Sequence, residues 1–206
     1  MLNGILPEVI ISGAAIFFFI SALFEYKNPY PWAIGFGITA TLASLLSLHA
    51  QHGFFHGAFQ VDSFSRFFSF LICGSFLLAC VIAGKLRQTD QEKIGEFFFF
   101  VSVGTLGLLL VTGATELLTM FIGLEISSYP LFIVASYRKG LGFQFESVAK
   151  YMVFGAVSMA FMLYGITYLY GAFGSTFLID IIPAIPDHLD DSMAVLGVIF
   201  FMAGLL

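Results

Sequence analysis

Glu125 lies in the middle of an apolar run from Thr115 to Tyr137, and Lys150 lies just inside the next run, which continues to Tyr170. A charge in hydrocarbon costs at least a few kcal/mol, so such residues pair with one another or line an ion path. An acid and a base on consecutive helices point to proton or cation handling. By helical rise, Glu125 sits about 15 to 18 Å from either end of its run, near the middle of a bilayer. Pro130 follows on the same run; it removes the hydrogen bond to the carbonyl of Ile126 and kinks the helix. Ser127 and Ser128 help to satisfy the groups this frees. A kink, free carbonyls and a carboxylate together suit an ion-conducting position. The competing reading is a carboxylate held by a partner for packing alone.

Lys150 is shallower, about 8 Å in if its helix starts near Phe145. Two readings stay open for it. Glu146, one turn earlier, offers an ordinary surface pair, and the side chain is long enough to snorkel. Alternatively, a lysine switched by a nearby glutamate makes a proton-relay element.

Other polar residues invite plainer readings. Glu116 opens the Thr115–Tyr137 helix and suits the positive end of its dipole, as does Glu8 after Pro7 in the first helix. Asp62 and Arg66 stand one turn apart and are expected to pair. His49, His52 and His56 are interleaved with Phe54, Phe55 and Phe59, which reads as an amphipathic segment along the interface rather than a metal site. Cys73 and Cys80 are about 10 Å apart along one helix face, too far for a disulfide, and read as small buried residues. No Cys/His cluster suits zinc, haem or iron–sulfur.

The elements that must position these groups are membrane helices. The chain has 206 residues, 59% hydrophobic and 10% charged, with a mean hydropathy of +0.98. A soluble domain carries about 25% charged residues. The fold class is therefore an all-α integral membrane protein. A nucleic-acid-binding function is excluded, since no basic face exists. The N-terminus lacks the basic region of a cleavable signal and reads as a retained helix. Six full runs fit the roughly 20 residues of a spanning helix: Ile5–Phe24, Trp32–Leu48, Phe64–Gly84, Ile94–Val111, Thr115–Tyr137 and Ser147–Tyr170. A truncated seventh begins near Met193 and is still apolar at Leu206. Thr112, Gly113 and Ala114 leave room only for a tight turn between the fourth and fifth runs. We divide the chain into residues 1–111, with helices one to four, and 112–206, with helices five to seven.

Six of the 8 Lys and Arg fall in odd-numbered loops (Lys27, Lys85, Arg87, Lys93, Arg138, Lys139). The sixth loop, near 171–192, has acids but no Lys or Arg. By the positive-inside rule, the odd loops are cytoplasmic and the N-terminus is outside. Tyr26, Tyr30 and Trp32 suit an interfacial aromatic belt. Pro183 and Pro186 mark a semi-rigid connector. Gly155, Ala156 and Ala160 offer the sixth helix a small face for close packing. Tyr164, Tyr168 and Tyr170 gather at its outer end.

Three stretches carry a family resemblance. GLEISSYPL (Gly123–Leu131) holds Glu125, and AKYMVFGAVSMAFMLYGITYLYGAFGST (Ala149–Thr176) holds Lys150. VDSFSRFF (Val61–Phe68) fits more loosely. Together they resemble subunit N of bacterial respiratory complex I, the NADH–quinone oxidoreductase. LYGITYLYGAFGST is the most specific part and separates subunit N from the L and M subunits and from Mrp-type antiporter subunits. The resemblance covers essentially the whole chain, most strongly from Glu116 to Thr176. It implies an antiporter-like fold with inverted repeats. It implies a proton-translocating membrane-arm subunit in which Glu125 and Lys150 form a relay coupled to quinone reduction, with Glu116, Pro130, Ser127 and Ser128 secondary to it. No redox cofactor is expected in this chain. NADH, FMN, iron–sulfur clusters and quinone are expected in partner subunits, within the inner (plasma) membrane of a bacterium. The family has about fourteen helices and a further lysine just past Leu206, so the chain reads as the N-terminal half of the subunit, with the first repeat incomplete. Alternatives are an Mrp-type cation/proton antiporter subunit, a membrane subunit of a hydrogenase or F420H2 dehydrogenase, and a structural half-subunit.

Overall fold

The computed structural model describes residues 2–24, 28–49, 52–85, 94–135, 143–188 and 190–206. Eight α-helices are described: α1 Leu6–Leu23, α2 Tyr30–Leu46, α3 Ser63–Lys85, α4 Ile94–Gly113, α5 Leu117–Ala135, α6 Phe143–Phe173, α7 Leu178–Ala184 and α8 Ser192–Leu205. Five of them (α1, α3, α4, α5, α6) are long and apolar enough to cross a membrane, and α2 and α8 are shorter apolar helices. Each apolar run of the sequence thus becomes a helix, because a spanning backbone must satisfy its hydrogen bonds internally. Lys27, Arg87, Lys93, Arg138, Lys139 and Tyr26 lie outside the described residues, as does the side chain of Lys85.

Helices α1 to α4 pack around one core of Ile11, Phe18, Cys73, Phe76, Phe98 and Leu109. Cys73 and Cys80 are free and buried, as expected. A smaller cluster joins Leu117 of α5, Ile166 and Leu169 of α6 and Ile181 of α7. Large apolar side chains such as Ile16, Leu42, Leu78, Ile122 and Phe154 face outward, which suits a lipid solvent.

The molecule is not purely helical. The segment expected to lie along the interface is a hairpin of two short antiparallel strands, β1 (His52–Phe54) and β2 (Phe59–Val61). Phe55 and His56 take positive φ of 52° and 57°, and Gly57 one of 93°, which turns the chain back on itself. Three consecutive left-handed residues cannot continue a helix, so the amphipathic pattern closes as a turn instead.

The hairpin is also tied to the tight turn after α4. Phe59 bridges Ala114, and Glu116 bridges Phe177. Thr115 N donates to the carbonyl of Ala58 at 3.1 Å, Leu117 N to Thr176 O at 3.0 Å, and Leu178 N to Thr115 O at 3.0 Å. The Thr115 hydroxyl donates to the carbonyl of Gly57. One backbone seam therefore joins the connectors at a single end of the helices.

A second difference concerns Arg66. Its expected partner was Asp62, one turn away. Instead, Asp62 caps α3, accepting from Ser65 N at 2.7 Å, and Ser65 Oγ accepts from Asp62 N at 3.0 Å. The arginine turns inward to Glu8 of α1, Nη2 to Oε1 at 2.7 Å and Nη1 to Oε2 at 3.4 Å. Glu8 is therefore an ion-pair partner and not simply a dipole cap. The cap turns one oxygen of the Asp62 carboxylate to Ser65 N, and a fully buried guanidinium needs a desolvated anion.

Helix contacts also depart from expectation on α6. Ala156 and Ala160 are exposed. Close packing runs through other small residues. A Cβ on Gly165 would stand 2.3 Å from Phe201 N of α8, and one on Gly204 2.5 Å from Ser158 O of α6. Small residues let membrane helices approach this closely. Tyr168 stacks on Phe200 of α8, with ring centroids 5.9 Å apart.

Candidate functional site

Helix α5 carries Glu125 near its centre, and α4 crosses it closely. A Cβ on Gly107 of α4 would lie 2.4 Å from Ser127 N. Pro130 sits inside α5. Ser127 and Ser128 both donate to the carbonyl of Leu124, at 2.7 and 2.9 Å. Both hydroxyls therefore go to Leu124 O and not to the Ile126 carbonyl that Pro130 leaves without its helical donor, so, contrary to expectation, they do not fill the proline gap.

Glu125 is half-buried. Its Oε2 is buried and has no hydrogen-bond partner among the described residues. The carboxylate lines a cavity of 140 Å³ between α5, α6 and α8, whose walls include Ser128, Phe132, Ser158, Met162 and Leu205. Phe132 closes on α6 where Gly155 leaves space, 3.1 Å from the position a Cβ would take. Tyr129, on the outward side, donates to the sulfur of Met159 at 3.2 Å.

Lys150 is not brought to Glu125 by any described ion pair. Nζ binds Glu146 Oε1 at 2.5 Å, with both side chains about two-thirds exposed (66% and 63%). Helix α6 begins at Phe143, earlier than expected, and Lys150 stands near the start of its apolar span Val148–Phe173. The surface-pair geometry is therefore the one the isolated chain adopts.

Glu116 is held firmly at the opposite end. Its Oε2 accepts from Thr119 Oγ1 at 2.6 Å and its Oε1 from Thr176 Oγ1 at 2.8 Å. The glutamate thus serves the α5 N-terminus and also clamps the link that follows α6. The Thr176 contact spans 60 residues, and no local spacing announces it. Ser158 is the residue sequence reasoning missed at the cavity. Its signal was a small hydroxyl within an apolar stretch of α6, two turns after Lys150. Among the described residues, no group of His, Cys, Asp and Glu could hold a metal ion.

Residues 114–206 match a family described as "NADH:quinone oxidoreductase/Mrp antiporter, TM". Over 206 residues the chain is 31% identical to "NADH-quinone oxidoreductase subunit N 2" of Opitutus terrae, covering 98% of this chain and 43% of that protein. The chain is a relative of subunit N. A subunit N 2 of Koribacter versatilis is 32% identical over 84% of this chain and 37% of its own length. The chain spans less than half the length of these subunit N relatives. Among solved structures, it superposes on a chain of "Respiratory complex I from Thermus thermophilus with bound Aureothin" with a TM-score of 0.78 and 25% identity, over 97% of this chain and 43% of the other. An archaeal membrane-bound sulfane sulfur reductase shares the fold, with a TM-score of 0.84 at 17% identity. The mostly helical, multi-pass membrane fold read from the sequence is thus one shared with a chain of a respiratory complex I.

Proposed function

We propose that this chain works as part of a proton-translocating membrane-arm subunit of an NADH–quinone oxidoreductase, with Glu125 as its proton-carrying group. The observation that carries this reading is the unpartnered Oε2 of Glu125, buried beside a cavity in an apolar helix. A carboxylate kept only for packing would be paired. One with a free oxygen facing a cavity is arranged to gain and lose a proton.

Lys150 takes the second role. The Glu146 pair is its resting arrangement, and charge movement in the assembled membrane arm draws it toward the α5 side. Its ammonium is a compact charge on a flexible stem, suited to exchanging partners. Ser127, Ser128 and Pro130 shape the α5 backbone around Glu125, and Glu116 anchors its end. Six spanning helices with a partial seventh, divided at residues 111 and 112, complete the proposed architecture. The redox groups sit in partner subunits, the membrane is the bacterial inner membrane, and the N-terminus lies outside.

The test is made in the natively assembled complex. Glu125→Gln and Lys150→Ala are expected to lower the protons moved per electron while NADH oxidation and assembly persist. An unchanged proton-to-electron ratio in both variants would sink the proposal. The matched family's description also names Mrp antiporters, which supports a second reading as a cation/proton antiporter subunit. Sodium-dependent transport without NADH oxidation would favour it.

A further inference from the structure

We propose that Ser158 is a positioning residue that holds water against Glu125, so that protons reach the carboxylate from the α6 side. This rests on the reading of Glu125 as a proton carrier. Three observations lead to it. Glu125 Oε2 is buried and finds no partner among the described residues, and such an atom is costly to leave unsatisfied. The neighbouring hydroxyls of Ser127 and Ser128 already donate to Leu124 O. Ser158 stands on the facing wall of the cavity, and among the described residues its hydroxyl makes no hydrogen bond.

The cavity between them has 140 Å³ of space. A water needs about 10–15 Å³ of such space and two to four polar partners. The Glu125 carboxylate, the Ser158 hydroxyl and the unused lone pair of Ser128 meet that need. Met162 and Leu205 make the remaining wall apolar, which confines water to the polar side. Position supports the assignment too. Ser158 stands on the same helix as Lys150, about 12 Å further along the axis. Protons passing between the two charged groups would cross this water. A protonated water gives its proton to the carboxylate and remains as water, and the reverse step releases it.

The experiment uses the assembled complex in its native membrane. The infrared carboxyl band of Glu125 is first assigned as the band lost in Glu125→Gln. In Ser158→Ala that band is expected to shift, and proton transfer to fall about tenfold, the effect of losing one hydrogen bond near a charge. Ser158→Thr, which keeps the hydroxyl, is expected to restore both. A Ser158→Ala complex with an unmoved band and full pumping overturns the proposal. Should that variant fail to assemble, Ser158→Cys replaces it, and an unmoved band there overturns the proposal equally. A shifted band alongside normal pumping in Glu125→Gln would leave the water contact standing and instead defeat the proton-carrier reading.

Discussion

Arg66 brings a permanent charge into the bundle interior, and Glu8 is what makes that tolerable. The two meet across 58 positions of sequence. Breaking a buried pair by removing one partner costs about 3–5 kcal/mol, whereas replacing both by apolar groups of similar size is often neutral. Glu8→Gln alone is therefore expected to lower the thermal stability of the purified complex sharply. Glu8→Leu combined with Arg66→Met is expected to recover most of it. A double variant as unstable as the single one would show that the pair does more than neutralise itself. Glu125 was legible in the sequence, because an acid deep in a long apolar run is too costly to keep without a partner or a task. The partner of Arg66 was not. Asp62 at one turn's distance was the locally obvious anion, and only packing α1 against α3 reveals the competitor.

At the scale of elements, the long apolar helices were readable to within a few residues, because hydrocarbon permits little else for an apolar stretch. Helix α6 extends further at both ends, and the short helix α7 lies in what was read as a connector. The hairpin at 52–61 was not. Its alternating His and Phe suit either an interfacial helix or a strand pair, and the turn rests on positive φ at Phe55 and His56, residues that rarely adopt it. Helix rotation was equally hidden, so the inward face of Ser158 did not follow from spacing, whereas the Lys150–Glu146 pair was one of the two readings that one-turn spacing offered. The α4–α5 crossing gives a test at this scale. A methyl group on Gly107 would meet the Ser127 backbone at 2.4 Å. Overpacking of this kind costs about 1–3 kcal/mol. Gly107→Ala is expected to lower the unfolding temperature and to reduce pumping by displacing α5. Gly13→Ala, in open space on α1, is the control and is expected to change neither.

For the molecule as a whole, the backbone seam fixes which connectors share a side of the membrane. The hairpin bonds to residues near 115, and these bond to residues 176–178. His56→Cys and Asp190→Cys are both exposed positions and are expected to react with an impermeant maleimide from the same side, the outside. The buried native thiols Cys73 and Cys80 are expected to stay unlabelled. Labelling of the two introduced cysteines from opposite sides would contradict the arrangement of the seam.

That seam also has a mechanical meaning. It fastens α6 at its Phe173 end, so the helix behaves as a lever with its fulcrum there. Ser158 lies about 22 Å along the arm and Lys150 about 35 Å. A small tilt of α6 would move Lys150 more than half as far again as Ser158. The wall beside Glu125 would still travel about two-thirds as far as the distal cation, so both ends of the relay would shift together, by amounts set by where the arm is pinned.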